Sequence, residues 1–182
     1  MFEVRIHGRG GQGIKMSSNF LARAYFLSGF YTQNFAMYGA ERRGAPVVSF
    51  VRSDRKIVLE RGYVFEPDTI IIFDETLDFK KMLKGLKRNS FILLNSPNPA
   101  SFFRKKFRIR NKAYAIDATE VALELIGKPI ANAALMGAAV KILGMDFKKL
   151  EEAIRIELTE AGHPEAIPKN IEAAKRCYEM VG

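Results

Sequence analysis

The chain opens with a strand, a glycine loop and a helix, continues as buried strand runs alternating with helices, and carries helices alone from Ile130 onward. These observations predict an α/β fold: a three-layer Rossmann-like domain with a mixed, mainly parallel sheet and a C-terminal helical segment. Residues 2–7 alternate in polarity as a strand does, and Gly8 to Gly13 form the turn. Met16, Phe20, Leu21, Ala24 and Leu27 then recur at helical spacing as far as Gly29. Residues 30–36 read as a short strand. Residues 47–52 and 57–59 read as a hairpin turning at Ser53-Asp54-Arg55, which makes the sheet mixed. Thr69-Ile70-Ile71-Ile72-Phe73 is a β-branched and aromatic run suited to a strand buried on both faces, and residues 91–94 form another. The spacing predicts a helix over 78–86, a strand over 113–116 and a helix over 119–126. Helices over 131–143, 146–160 and 165–180 complete the tail.

With 182 residues and 48% hydrophobic content, the chain suffices for one substantial core, so a single domain over 1–182 is expected. No run approaches the roughly 18 apolar residues of a membrane span, and no charged leader precedes the first strand, which points to the cytoplasm. Cys177 is the one cysteine and His7 and His163 the two histidines. One thiol forms no internal disulfide and does not supply the four thiolates of an iron–sulfur cluster, and a His/Cys zinc site is equally implausible. The formal charge of +9 raises a nucleic-acid reading, centred on residues 104–112, where six of nine are basic. That stretch has a single aromatic residue and no RNA- or DNA-binding signature, so it reads as a solvated loop or a partner-docking face.

Gly8-Arg9-Gly10-Gly11-Gln12-Gly13 fits G-x-G-x-x-G in the context that gives this motif meaning, after a strand and before a helix. Glycines allow left-handed backbone and close approach, and a helix N-terminus offers unpaired N–H donors to an anion. Two uses stay open: phosphate binding, and a tight turn for packing or subunit contact. A dinucleotide site also needs an acid at the end of the second strand, about 20 residues past the glycines. Here that stretch is Tyr31-Thr32-Gln33-Asn34-Phe35-Ala36, and the first acid, Glu41, is followed by Arg42-Arg43. Those two guanidiniums leave a stand-alone NADP-binding protein as the alternative. They equally suit an anion clamp or, the preferred reading, acids across a subunit interface. Asp74, Glu75 and Asp117 sit at strand ends, where acids serve as helix caps. No catalytic triad, P-loop or paired-carboxylate arrangement is present, so no catalytic or metal-binding residue is assigned.

His7-Gly8-Arg9-Gly10-Gly11-Gln12-Gly13, then Tyr38-Gly39-Ala40-Glu41-Arg42-Arg43-Gly44-Ala45-Pro46, then Pro67-Asp68 ahead of a strand closing in Asp74, resemble in order and spacing the gamma subunit of 2-oxoacid:ferredoxin oxidoreductases. Asp117-Ala118-Thr119, Pro129-Ile130-Ala131-Asn132, Leu135-Met136-Gly137-Ala138 and Asn170-Ile171-Glu172-Ala173-Ala174 extend the resemblance along nearly the whole chain. Ile6 departs from it, standing where family members often carry Trp. The resemblance implies a multi-subunit enzyme that decarboxylates a 2-oxoacid, pyruvate being the commonest. Its thiamine diphosphate, Mg2+ and iron–sulfur clusters would sit on alpha, beta and delta partners, with ferredoxin as electron acceptor and coenzyme A as acyl acceptor. It further implies that this chain is accessory, with Gly8, Arg9, Gly10, Gly11, Gln12 and Gly13, together with Arg42 and Arg43, near the coenzyme A or cofactor entrance.

Overall fold

The computed structural model describes residues 1–38 and 44–181. Its centre is a six-stranded sheet in the order β2-β3-β1-β4-β5-β6, built from β1 (Phe2–Arg9), β2 (Tyr31–Tyr38), β3 (Pro46–Asp54), β4 (Thr69–Ile72), β5 (Phe91–Asn95) and β6 (Lys112–Ile116). β1, β4, β5 and β6 pair in parallel, while β3 runs antiparallel to both β1 and β2. The sheet is therefore mixed and mainly parallel, and the fold is α/β with a helical C-terminal part, as the sequence pattern predicts.

Side chains alternate across the sheet and so define two cores. Val4, Ile6, Val47, Val51, Ile71 and Leu93 point to one face, under α1 (Ile14–Leu27), α4 (Ala118–Ile126), α5 (Asn132–Ile142), α6 (Phe147–Glu160) and α7 (Ile167–Met180). Ile70, Ile72, Ile92 and Leu94 point to the other, under α2 (Phe79–Met82) and α3 (Ala100–Phe107). Every residue of α5 from Asn132 to Val140 is buried, which explains its small, apolar composition on all sides. At Gly137 the α7 backbone comes so close that a Cβ would collide with the Ala174 carbonyl oxygen.

On the second face the short helices cover only the β4–β5 half. The β1–β3 half is covered by the irregular segment 55–68, held by two buried arginines. The Arg5 guanidinium donates to the carbonyls of Val64 at 3.1 Å, Met82 at 2.7 Å and Lys84 at 2.6 Å. Arg52 donates to the carbonyls of Gly62 and Tyr63, each at 3.0 Å, and pairs with Glu3 at 2.8 Å.

Three local expectations are corrected. The partner of β3 in the hairpin is β2, and residues 57–59 are not a strand. Both edges of β3 are already taken, so Ile57 and Leu59, 66% and 80% exposed, have no strand to join. The helix expected over 78–86 ends at Met82, where Arg5 draws the carbonyls of Met82 and Lys84 out of register and Gly85 turns at φ 80°. The stretch 104–112 is not all loop: its first part belongs to α3, whose Phe103 and Phe107 stack on Phe79 at 5.5 and 4.2 Å.

The Gly137 contact sets two effects against each other. Alanine favours a helix over glycine by about 1 kcal/mol, whereas overpacking against a fixed carbonyl costs about 1–3 kcal/mol. Gly137→Ala is expected to lower the urea midpoint of unfolding; an unchanged or raised midpoint would show that α5 and α7 are not in this close contact.

Candidate functional site around the glycine loop

The glycine loop emerges from the C-terminal end of β1, beside the end of β4, where the strand order reverses direction along the sheet and ligands bind in open α/β folds. Gly11 and Gly13 hold positive φ values of 99° and 77°, conformations that cost a side chain little only at glycine. At Gly8 a Cβ would strike the Ile14 side chain, and at Gly13 it would lie 2.9 Å from Asn132 Nδ2. The loop thus folds back on the first turn of α1 and abuts the start of α5.

Polar side chains lock this turn. Gln12 Oε1 accepts from the Arg9 N–H at 2.8 Å, and Gln12 Nε2 donates to Asp74 at 3.2 Å. Arg9 Nε donates to the same carboxylate at 2.9 Å, and its terminal nitrogens reach Thr76 Oγ1 at 2.9 Å and the Gly44 carbonyl at 3.2 Å. Burial works to raise the Asp74 pKa, but hydrogen bonds from the Thr76 side chain and backbone, with the charge of Arg9, outweigh it and leave the carboxyl below its ordinary value. Arg9 therefore does not project as a bare charge; its guanidinium is matched by Asp74.

The backbone of the loop is half engaged. The Gly10 N–H donates to the Ala45 carbonyl at 2.9 Å and the Gly44 N–H to the Gly10 carbonyl at 3.2 Å. Among the described residues, no intrachain acceptor meets the N–H groups of Gly11, Gly13, Ile14, Lys15 and Met16, and the first helical bond is that of the Ser17 N–H to the Gly13 carbonyl at 2.9 Å. These donors, with the positive end of the α1 dipole, are what the turn offers to an anion.

Of the residues singled out from sequence, Gly8, Arg9, Gly10, Gly11, Gln12 and Gly13 come together here. Arg42 and Arg43 lie outside the described residues. Their flanks do not: β2 ends at Tyr38, and the chain returns at Gly44 and Ala45, which are hydrogen-bonded to Gly10. Asp117 caps α4 by accepting from the Glu120 N–H at 2.9 Å, as a strand-end acid does. Asp74 is not a cap, a role that Asp78 takes for α2. Sequence reasoning missed Asp74 and Asn132 as partners of the loop, because the contacts span 62 residues or more and no local pattern encodes them.

The arrangement departs from a dinucleotide site. In that architecture the second strand lies directly beside the first and brings an acid to the ribose. Here antiparallel β3 occupies that place, and β2 is displaced to the sheet edge. His7, on the second face, accepts from Arg5 Nε at 3.0 Å, and burial together with the Arg5 charge pushes its pKa down to about 3, so it is a neutral acceptor near pH 7. Cys177, on the inner face of α7, is fully buried, and burial raises its thiol to about 12, which suppresses the thiolate that redox and nucleophilic chemistry require. Among the described residues, no group of three His, Cys, Asp or Glu side chains is placed to hold a metal ion.

A family model described as pyruvate ferredoxin/flavodoxin oxidoreductase matches residues 3–180. The chain belongs to this family. It is 40% identical to the common subunit gamma of the pyruvate/ketoisovalerate oxidoreductases of Pyrococcus furiosus, an alignment covering 98% of this chain and 96% of the relative. The crystal structure of the pyruvate oxidoreductase subunit PORC from Thermotoga maritima superposes with a TM-score of 0.84 at 36% identity, covering 98% of this chain and 95% of that one. A 2-oxoglutarate:ferredoxin oxidoreductase from Magnetococcus marinus shares the fold, with a TM-score of 0.80 at 20% identity over 99% of this chain and 31% of that chain. The gamma-type resemblance read from the motifs is thereby established, and with it membership of an oxidoreductase complex.

The neutral state of His7 has a measurable consequence. The unfolded chain takes up a proton on this imidazole below pH 6.5, whereas the folded chain does not until pH falls to about 3. Its contribution to stability is whole above pH 6.5 and is lost as pH falls through that window, at about 1.4 kcal/mol per pH unit. His7→Gln keeps an acceptor for Arg5 and removes the proton. Urea unfolding between pH 6 and pH 4 should give a pH slope shallower by about one proton for the variant; coincident slopes would mean that His7 is not held neutral.

Proposed function

We propose that this chain is the accessory gamma subunit of a cytoplasmic, multi-subunit 2-oxoacid:ferredoxin oxidoreductase, acting as a single domain over 1–182. The assembly would convert a 2-oxoacid, most simply pyruvate, to its acyl-CoA and pass electrons to ferredoxin. The observation that carries the reading is the tie between the glycine loop and the return of the Arg42–Arg43 segment. Through the paired Gly10–Ala45 and Gly44–Gly10 hydrogen bonds, the two most specific motifs of the sequence meet at one sheet edge. An edge that concentrates backbone donors, reached by the chain directly after Arg42 and Arg43 in the sequence, suits a subunit contact with acids, or the phosphates of coenzyme A or thiamine diphosphate at an entrance formed with a partner.

This chain's part in the chemistry is positional. Thiamine diphosphate, Mg2+ and the iron–sulfur clusters belong, on this reading, to alpha, beta and delta partners. Thiamine diphosphate supplies carbanion stabilisation at the oxoacid carbon, and the clusters supply one-electron transfer. The clusters find no suitable ligands here, since the sole thiol is buried and protonated. Among the described residues no helix is long and apolar enough to cross a membrane.

Replacing Arg42 and Arg43 together by Ala tests the reading in the reconstituted complex. The expected outcome is either failure of this chain to co-purify with its larger partners or a KM for coenzyme A raised by about tenfold or more, the scale of losing one charge-assisted contact. Normal assembly with unaltered kinetics would remove both roles.

A further inference from the structure

The opposite edge of the sheet, at the N-terminal ends of β5 and β6, carries a separate basic recess of about 490 Å3. Arg88 and Asn89 line it from the turn before β5, Arg110 from the turn before β6, and Phe91, Lys112 and Tyr114 from the strands themselves. We propose that this recess binds the phosphoryl groups of a small organic polyphosphate, with the two rings meeting its less polar part.

The recess is held in shape before any ligand arrives. Asn111 Nδ2 lies within 2.8 Å of the Lys87 and Ser90 carbonyls and 3.2 Å of the Arg88 carbonyl, stapling the two turns together. Lys87 in turn is anchored to Asp68 at 2.7 Å. Arg108 is the one non-glycine residue with positive φ, 54°, among the described residues. This left-handed step closes α3 and sends Ile109 into the second core, leaving Arg110 exposed at the rim. Holding an arginine there opposes the usual preference of side chains for negative φ and is maintained by the surrounding contacts. Phe91 and Tyr114 meet edge to face, with centroids 6.3 Å apart.

The charge of the recess is uncompensated. Arg88, Arg110 and Lys112 form no ion pair among the described residues, whereas Arg5, Arg9, Arg23, Arg52, Arg155 and Arg176 are all engaged. Three acids at this end are already used: Asp68 by Lys87, Glu3 by Arg52 and Asp54 by the amino terminus. Asp74, Glu75, Asp117 and Glu120 line a recess at the far edge. A five-residue strand spans about 16 Å, twice the screening length of about 8 Å at physiological salt, so those carboxylates do not neutralise these cations.

The form of the site selects among anions. Guanidinium forks match phosphate oxygens in bidentate fashion, and the volume falls in the range of small-ligand pockets. Three exposed cations gathered around one half-open recess are too few and too compact for a nucleic-acid track, which extends along a groove or face. The inference does not rest on the glycine-loop reading, since the two edges share no residue.

Titration of the intact chain by calorimetry at low salt, with inorganic pyrophosphate and with ADP as probes, tests this directly. The expected result is saturable one-to-one binding that weakens with added salt and falls at least about tenfold in Arg88→Gln/Arg110→Gln, with a melting temperature like that of the parent because neither side chain is paired. Tighter binding of ADP than of pyrophosphate would support the part given to the rings, and equal binding would restrict the ligand to free phosphoryl anions. Absence of saturable binding to either probe, binding that survives the double substitution, or tighter capture of an oligonucleotide or an oligoglutamate peptide by the same residues would overturn the proposal.

Discussion

The carboxylate of Asp74 is the constraint on which the functional edge of this protein depends. It accepts from Arg9, Gln12 and Thr76 at once, and so fixes the end of β4 to the loop that follows β1. With Gln12 also holding the Arg9 N–H, the turn has little freedom left, and its N–H donors are set in place before a partner or ligand arrives. Preorganisation of this kind reduces the ordering cost of binding. Removing the carboxylate would leave a half-buried guanidinium unmatched, a larger perturbation than the loss of one surface ion pair.

The second constraint is topological. Insertion of antiparallel β3 between β1 and β2 removes the place where a dinucleotide ribose would lie and substitutes a hairpin whose return runs past the glycine loop. A G-x-G-x-x-G sequence thereby brackets a neighbouring segment in place of the ribose side of a dinucleotide site. The same backbone physics, positive φ at glycine and close approach of a second chain segment, serves both ends. Fold alone would not have distinguished them; the strand order does.

The parallel strands and the helical tail were legible in the sequence because burial on both faces leaves uninterrupted runs such as Thr69-Ile70-Ile71-Ile72, and because Phe20, Leu21 and Ala24 recur with helical period. What escaped was decided by tertiary contacts. Residues 57–59 have strand composition but no free edge to pair with, and α2 stops where Arg5, 77 residues earlier, claims the carbonyl of Met82. α3 was hidden by its charges: Arg104, Lys105 and Lys106 dominate the stretch, while Phe103 and Phe107, one turn apart, bury its other side. For the site, the glycines could be read from spacing, but their partners Asp74 and Asn132 lie far along the chain and their roles emerge only in three dimensions.

The central claim is that the edge carrying the glycine loop, and not the rest of the surface, completes a site formed with another chain. Amide hydrogen exchange of this subunit, free and within its assembled oxidoreductase, measures it most directly. The account predicts that assembly slows exchange at residues 10–16 and 38–46 above all. Unchanged exchange there, with new protection confined to α3 and the β6 edge, would contradict it.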